Sequence, residues 1–78
     1  MTTKGPRYIT LQRAERLTRD AAQRDGLVIE ILHSRWAGRL STGHDGTKFR
    51  VAAVRVQVHG RQRTKWVSMG QDGTARVS

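Results

Sequence analysis

The segment that decides the fold runs from Lys48 to Met69 and reads KFRVAAVRVQVHGRQRTKWVSM. Apolar and polar side chains alternate along most of it, which is the two-residue period of a β-strand with one buried face. Gly60 interrupts this pattern near its middle and marks a turn. The segment therefore predicts two antiparallel strands joined as a β-hairpin.

The length of the turn at Gly60 decides which side chains share a face, because successive side chains of a strand point to opposite faces. A two-residue turn would place Arg63 and Lys65 among the valines, where a buried unpaired charge costs several kcal/mol. We therefore predict an odd-numbered turn with Arg61 at its tip. It groups Arg55, Gln57, His59, Arg63 and Lys65 on one face and Val54, Val56, Val58, Thr64 and Trp66 on the other.

Further strands are expected on either side of this hairpin. Residues 27–32 are almost wholly apolar and β-branched, as expected for a central strand or for one sandwiched under the helix, and we predict that they form the core strand of the sheet. Asp45-Gly46 is a strong signal for a second hairpin. The apolar positions change parity near residues 52–53, which predicts a β-bulge there. Residues 74–78 can supply a short edge strand or a frayed tail.

The residues before the strands predict one helix from Thr10 to Asp25, with Thr10 as its N-cap and Gly26 as its stop. Its apolar stripe recurs at intervals of three and four residues and consists of Leu11, Ala14, Leu17 and Ala21. The predicted fold class is therefore α+β: one N-terminal helix packed on a three- or four-stranded antiparallel β-meander. It forms a single domain over residues 10–78, after a flexible basic arm at residues 1–9.

Composition argues against several classes of function. A chain of 78 residues has room for a thin core but not for a deep pocket, so we expect no enzymatic activity and no cofactor. The absence of cysteine fits a reducing, cytoplasmic environment. The sequence shows neither a signal peptide nor a membrane-spanning run. Its histidines lack the spacing of a metal site; they are His33, His44 and His59.

The positive charge is concentrated in residues 35–65, which hold eight of the fifteen Lys and Arg residues and a single acid, Asp45. This region contributes +7 to the formal net charge of +9, and such a surface attracts polyanions. We therefore predict a nucleic-acid-binding protein that inserts the β-ribbon into duplex DNA, which is favoured over RNA. The predicted contacts are Arg55, Gln57, His59, Arg61, Arg63 and Lys65, with Arg39, Lys48 and Arg50 beside them.

The alternative hypothesis is a small protein-interaction module or inhibitor that docks its basic face on an acidic partner protein. Trp36, expected in a loop beside Arg39, would be the anchor of that interface. A third hypothesis is a ribosome-associated component that uses the basic arm, and a homodimer is left open. In each case Phe49 and Trp66 are expected in the core rather than on a stacking surface.

Overall fold

The computed structural model describes residues 8–78 and contains one helix and five strands. The elements are α1 (Leu11–Arg24), β1 (Ile29–Trp36), β2 (Ser41–Thr42), β3 (Lys48–Val58), β4 (Arg61–Gly70) and β5 (Ala75–Val77). The strands form one antiparallel sheet in the order β1-β3-β4-β5, and the short β2 also pairs with β3. The predicted α+β architecture is confirmed. Among residues 8–78, no helix is long and apolar enough to cross a membrane.

Helix α1 begins and ends where its capping residues predict. The Thr10 side chain accepts a hydrogen bond from the main-chain N–H of Arg13 at 3.0 Å, which satisfies a free donor of the first turn. Gly26, with φ of 71°, adopts the left-handed conformation that ends many helices. The side chains that α1 buries are all small, which allows the helix to approach the sheet closely. They are Ala14, Thr18 and Ala22.

The central strand is β3, so the prediction that residues 27–32 form the central strand is wrong. β3 pairs with β4 on one side and with β1 and β2 on the other, whereas β1 is an edge strand. Much of the apolar run faces solvent, and Val28 is 86% exposed. The fully buried core comes from the centre of the sheet and the helix. Its members include Ala14, Ala52, Val54, Val56, Val67 and Met69.

The sheet contains a β-bulge, but in β1 rather than at residues 52–53. The pairing of β1 with β3 shifts between Ile31 and His33, so Leu32 is the extra residue. β3 pairs with β4 without interruption from Phe49 to Val58. The change of parity in β3 has another cause, because its first half carries apolar side chains on both faces.

The turn between β3 and β4 has two residues, so the predicted odd-numbered turn is wrong. His59 and Gly60 have φ of 51° and 77°, as a type I′ turn requires. The register therefore pairs Val56 with Arg63 and Val54 with Lys65. Side chains paired in this way share a face of the sheet, so these two cations lie on the same face as the valines.

The cations are tolerated on that face because α1 does not cover the whole of it. Arg63 is exposed and Lys65 is half-buried, at the rim of a groove beside the end of the helix. Long basic side chains can lay their methylene stems over apolar surface while the charged group stays in water. The register of the two-residue turn, which the sequence analysis rejects, therefore does not bury a charge.

The same register brings two aromatic side chains to the surface. Trp66 is 46% exposed and Phe49 is 37% exposed, on the face opposite α1. The prediction that both rings lie in the core is wrong. A further correction concerns Ile9, which the predicted flexible arm includes but which is 8% exposed and packs in the core. Tyr8, also in the predicted arm, is exposed and has the Arg13 guanidinium over its ring. Residues 1–7 of the arm lie outside the described residues.

Candidate nucleic-acid interface

Helix α1 packs on one face of the sheet, called here the helix side, and the opposite face is called the open face. Within residues 8–78 no other helix is present to cover the open face. Its cations are Arg35 of β1, Arg55 of β3 and Arg76 of β5. The remaining side chains of the open face are Glu30, His33, Ser41, Phe49, Val51, Ala53, Gln57, Gln62, Thr64, Trp66 and Ser68.

Arg55 is held in a fixed position near the middle of the open face. Its Nε donates to Oε1 of Gln62 at 3.3 Å, and its Nη1 donates to Oγ1 of Thr64 at 2.8 Å. Both acceptors are neutral, so they orient the guanidinium without cancelling its charge. Among residues 8–78 the hydrogen-bond partners of Arg55 are neutral, which leaves its guanidinium available to an external anion.

A shallow depression of about 220 Å³ lies beside Arg55. Ala53 forms its floor and is 3% exposed because larger side chains stand around it. Arg35 and Arg55 line the depression together with His33 and Thr64. Two guanidinium groups and a hydroxyl around a small hollow are suited to a phosphate group.

The exposed ring of Trp66 lies next to this depression. Trp66 pairs with Ala53 across β4 and β3, and Ala53 pairs with Arg35 across β3 and β1. The three residues thus form one row across the sheet, with the ring at one end and a guanidinium at the other. Such a row offers a stacking surface for a base and a cation for the adjoining phosphate.

The predicted site residues do not lie on one face. Arg55 and Gln57 are on the open face, whereas Arg61, Arg63 and Lys65 are on the helix side. This division follows from the two-residue turn, and it contradicts the single cationic ribbon face that the sequence predicts. The other predicted residues lie elsewhere: His59 in the turn, Arg39 before β2, and Lys48 and Arg50 on the first part of β3.

Two of these cations hold the fold together locally. Arg50 stacks on the Trp36 ring with its guanidinium carbon 4.2 Å from the ring centre, and its Nε donates to the Gly38 carbonyl at 2.7 Å. Lys48 donates from Nζ to Oγ1 of Thr42 at 3.1 Å. Their side chains are engaged within the protein, so we assign them no part in the open face.

The sequence predicts that Trp36 lies in a loop. In the structure it is instead the last residue of β1. Its ring is half-buried, packs against the core and lies under Arg50. The expectation that Trp36 anchors a partner protein is untested. Its position gives it a packing role.

Sequence reasoning missed Trp66, Arg35 and His33 as members of one surface. The missed signal was the His59-Gly60 pair, because histidine is among the residues enriched in the left-handed conformation and glycine adopts it freely. Two such residues between strands fit a two-residue turn. That turn alone determines that Trp66 and Arg55 share a face.

Two aspartates outside the open face stabilise turns of the sheet. The main-chain N–H of Thr47 donates to Asp45 at 3.0 Å and lowers the pKa of its carboxyl group. The hydroxyl of Thr74 donates to Asp72 at 2.7 Å and, with the N–H of the same residue, lowers the pKa of Asp72. Hydrogen bonds to a carboxylate favour its charged form.

The chain matches no protein-family model, no curated protein and no solved structure. Its function is therefore inferred from the chemistry of its own surfaces. Of these, the open face combines the exposed ring of Trp66 with three arginines from different strands.

Proposed function

We propose that this protein binds nucleic acid without catalysis and that it uses the open face, with single strands preferred over duplexes. The observation that carries this proposal is the exposed Trp66 in the same row as Arg35 and beside Arg55. A large ring left in water on a cationic sheet face provides a π-surface on which any base can stack. Arg55, whose partners in the described part of the chain are neutral, would bind the phosphate that follows.

The net charge supports the same proposal. A formal charge of +9 on 78 residues draws polyanions to the whole surface, and the open face adds a specific place for one to bind. Three cations belong to that face: Arg35, Arg55 and Arg76. Phosphate contacts would supply most of the affinity, and base stacking on Trp66 would distinguish single strands from duplexes.

The width of the sheet favours a single strand over the duplex DNA that the sequence analysis predicts. β1 pairs with β3 as far as Val58, directly before the turn. The β3–β4 hairpin therefore has β1 beside it up to its turn, so the sheet is three strands wide there. The major groove of DNA, about 12 Å wide, admits only a two-stranded ribbon. Bases that are paired and stacked in a duplex also cannot lie flat on Trp66.

A titration with a thymidine decamer, and with the same sequence as a duplex, tests the proposal. We expect tighter binding of the single strand, with amide shift changes in Arg55, Thr64 and Trp66. If three cations contact phosphate, log affinity for the single strand should fall against log salt with a slope of about −2. This slope is shallower than the −4 to −5 expected for five cations of one ribbon face on duplex DNA.

No binding at low salt, or an affinity that does not change with salt, would refute the nucleic-acid proposal. Tighter binding of the duplex, with shift changes centred on the β3–β4 turn, would restore the major-groove hypothesis. Heparin competition gives a control for charge alone, because heparin has no bases to stack on Trp66.

A further inference from the structure

The outer edge of β4 is unpaired over its first half. Among residues 8–78, no strand lies beside β4 between Arg61 and Lys65. β5 pairs with β4 only at residues 67–69, and Ser78 continues that pairing to Trp66. An unpaired edge presents main-chain N–H and C=O groups on which another strand can form.

The hydrogen bonds of Trp66 show which groups point to this edge. The N–H of Trp66 donates to the Ser78 carbonyl at 3.0 Å, and the N–H of Ser78 donates to the Trp66 carbonyl at 2.9 Å. Main-chain groups of alternate residues point the same way along a strand. The N–H and C=O groups of Gln62 and Thr64 therefore point outward at the free edge.

The side chains of the same segment carry a regular row of charge. Arg61, Arg63 and Lys65 lie on the helix side at alternate positions, about 7 Å apart. They form one wall of a groove of about 500 Å³, in which Asp25 is the one acidic lining residue among residues 8–78. Apolar side chains supply much of the remaining lining; they include Ala22, Ile29, Val56, Val58 and Val77.

We propose that this edge binds an extended acidic segment of a partner protein by strand addition. The main chain of that segment pairs with Gln62 and Thr64, and its alternate side chains face the helix side. Alternate residues of a strand are about 7 Å apart, the same spacing as the three cations. An Asp or Glu at every second position therefore meets one cation each, while the residues between them face the other side of the sheet.

Charge argues for this occupant over a second copy of the chain. Two copies joined through this edge would bring Arg63 and Lys65 close to the same cations of the partner, and like charges at a strand edge oppose pairing. The other edge of the sheet, β1, is interrupted by the bulge at Leu32, which disturbs a continuous ladder. The β4 edge is regular and strongly selects for negative charge.

The test uses a blocked seven-residue peptide with glutamate at its second, fourth and sixth positions and valine or threonine elsewhere. We expect it to shift the amide resonances of Gln62 and Thr64 and to slow their hydrogen exchange. A peptide of the same composition with its three glutamates adjacent should bind about tenfold more weakly, because it cannot match the spacing of the cations.

Charge reversal gives a second, independent test. The variant Arg63→Glu with Lys65→Glu should bind the glutamate peptide at least tenfold more weakly and should bind the matching lysine peptide more tightly than the unchanged protein does. Binding of the lysine peptide would also show that the variant is folded. A matched control with the same change in net charge is Arg16→Glu with Arg19→Glu, on the exposed side of α1. The control should keep the preference for alternating glutamates.

Three results would overturn the proposal. One is equal binding of the two glutamate peptides, which would indicate attraction by net charge alone. Another is peptide-induced shifts that leave Gln62 and Thr64 unchanged. The third is a dimer in sedimentation experiments that the Arg63→Glu, Lys65→Glu variant abolishes, since it would assign the edge to a second copy. The Thr64 amide can respond to both ligands, so slowed hydrogen exchange of Gln62 and Thr64 reports the peptide and shift changes in Arg55 and Trp66 report the oligonucleotide. With these readouts either proposal can fail alone.

Discussion

The helix side and the open face of the β3–β4 hairpin both carry cations, but in different surroundings. On the helix side, Arg63 and Lys65 stand at the rim of an apolar groove and next to a free strand edge. On the open face, Arg55 is fixed by two neutral side chains and lies near an exposed ring. The helix side carries more of the hairpin's cations than the open face, but the groups around those cations differ, and they decide what each face can bind.

The comparison shows how much depends on one short turn. With His59-Gly60 as a two-residue turn, Trp66 shares the open face with Arg55. The three β4 cations, Arg61, Arg63 and Lys65, share the helix side with the valines. One more residue in the turn would exchange the two faces of β4. The chemistry of each face is therefore a consequence of the turn, and substitutions on either face test that assignment.

The largest expected effect is on stability and comes from the helix side of β4. Met69 is fully buried, so Met69→Ala should lower the free energy of unfolding by about 2–5 kcal/mol. Its neighbour Ser68 is on the open face, and Ser68→Ala should change stability by less than about 0.5 kcal/mol. Urea denaturation of both variants measures the difference. Equal losses would mean that the faces are assigned wrongly.

The next effect is on binding and comes from the open face. Trp66→Ala should weaken binding of the thymidine decamer by about 1–3 kcal/mol, the usual contribution of one base stacked on an aromatic ring. Because Trp66 is 46% exposed, its removal should destabilise the fold less than removal of the half-buried Trp36. Trp36→Ala should in turn change decamer affinity by less than about 1 kcal/mol. The reverse pattern would place the stacking ring on the helix side.

A smaller effect is expected at the turn itself. His59 has φ of 51°, which a β-branched residue adopts only with strain. His59→Val should therefore lower stability by about 1 kcal/mol, whereas His59→Asn should be neutral or slightly stabilising. Thermal denaturation of both variants tests the type I′ turn. If valine were tolerated as well as asparagine, the two-residue turn would be in doubt.

The smallest effect is that of pH, and it should not distinguish the faces. The pKa values of Asp45 and Asp72 are lowered by hydrogen bonds from Thr47 and Thr74. A lowered pKa in the folded state adds stability above the ordinary aspartate pKa, and this stability is lost as pH falls through the lowered value. Melting temperature should decline slightly below pH about 4, and less in Asp45→Asn with Asp72→Asn. A melting temperature that rises as the pH is lowered would contradict this expected direction.

The sequence was sufficient for the architecture because local signals agreed. Thr10 and Gly26 bound the helix, and glycines separate runs with a strand period. The identity of the central strand was predicted wrongly. An apolar run such as residues 27–32 resembles a buried strand whether or not neighbours flank it, and strand order depends on contacts that are distant in sequence.

The candidate site was less accessible from sequence because a one-residue error in the turn moves every side chain of a strand. A two-residue turn would bury Arg63 and Lys65 only if the valine face were covered along all of β4. Helix α1, at 14 residues, covers only part of it, so Lys65 reaches water at the rim. The contacts predicted from sequence thus include Arg55, which does lie on the open face, but they omit Trp66.

The most direct test of the account compares two double variants that remove the same charge from opposite faces. Arg35→Gln with Arg55→Gln alters the open face, and Arg61→Gln with Arg63→Gln alters the helix side. The account predicts that the open-face pair loses about tenfold in affinity for the thymidine decamer, and the helix-side pair less than about threefold. Equal losses, or a greater loss from the helix-side pair, would contradict the assignment of nucleic-acid binding to the open face.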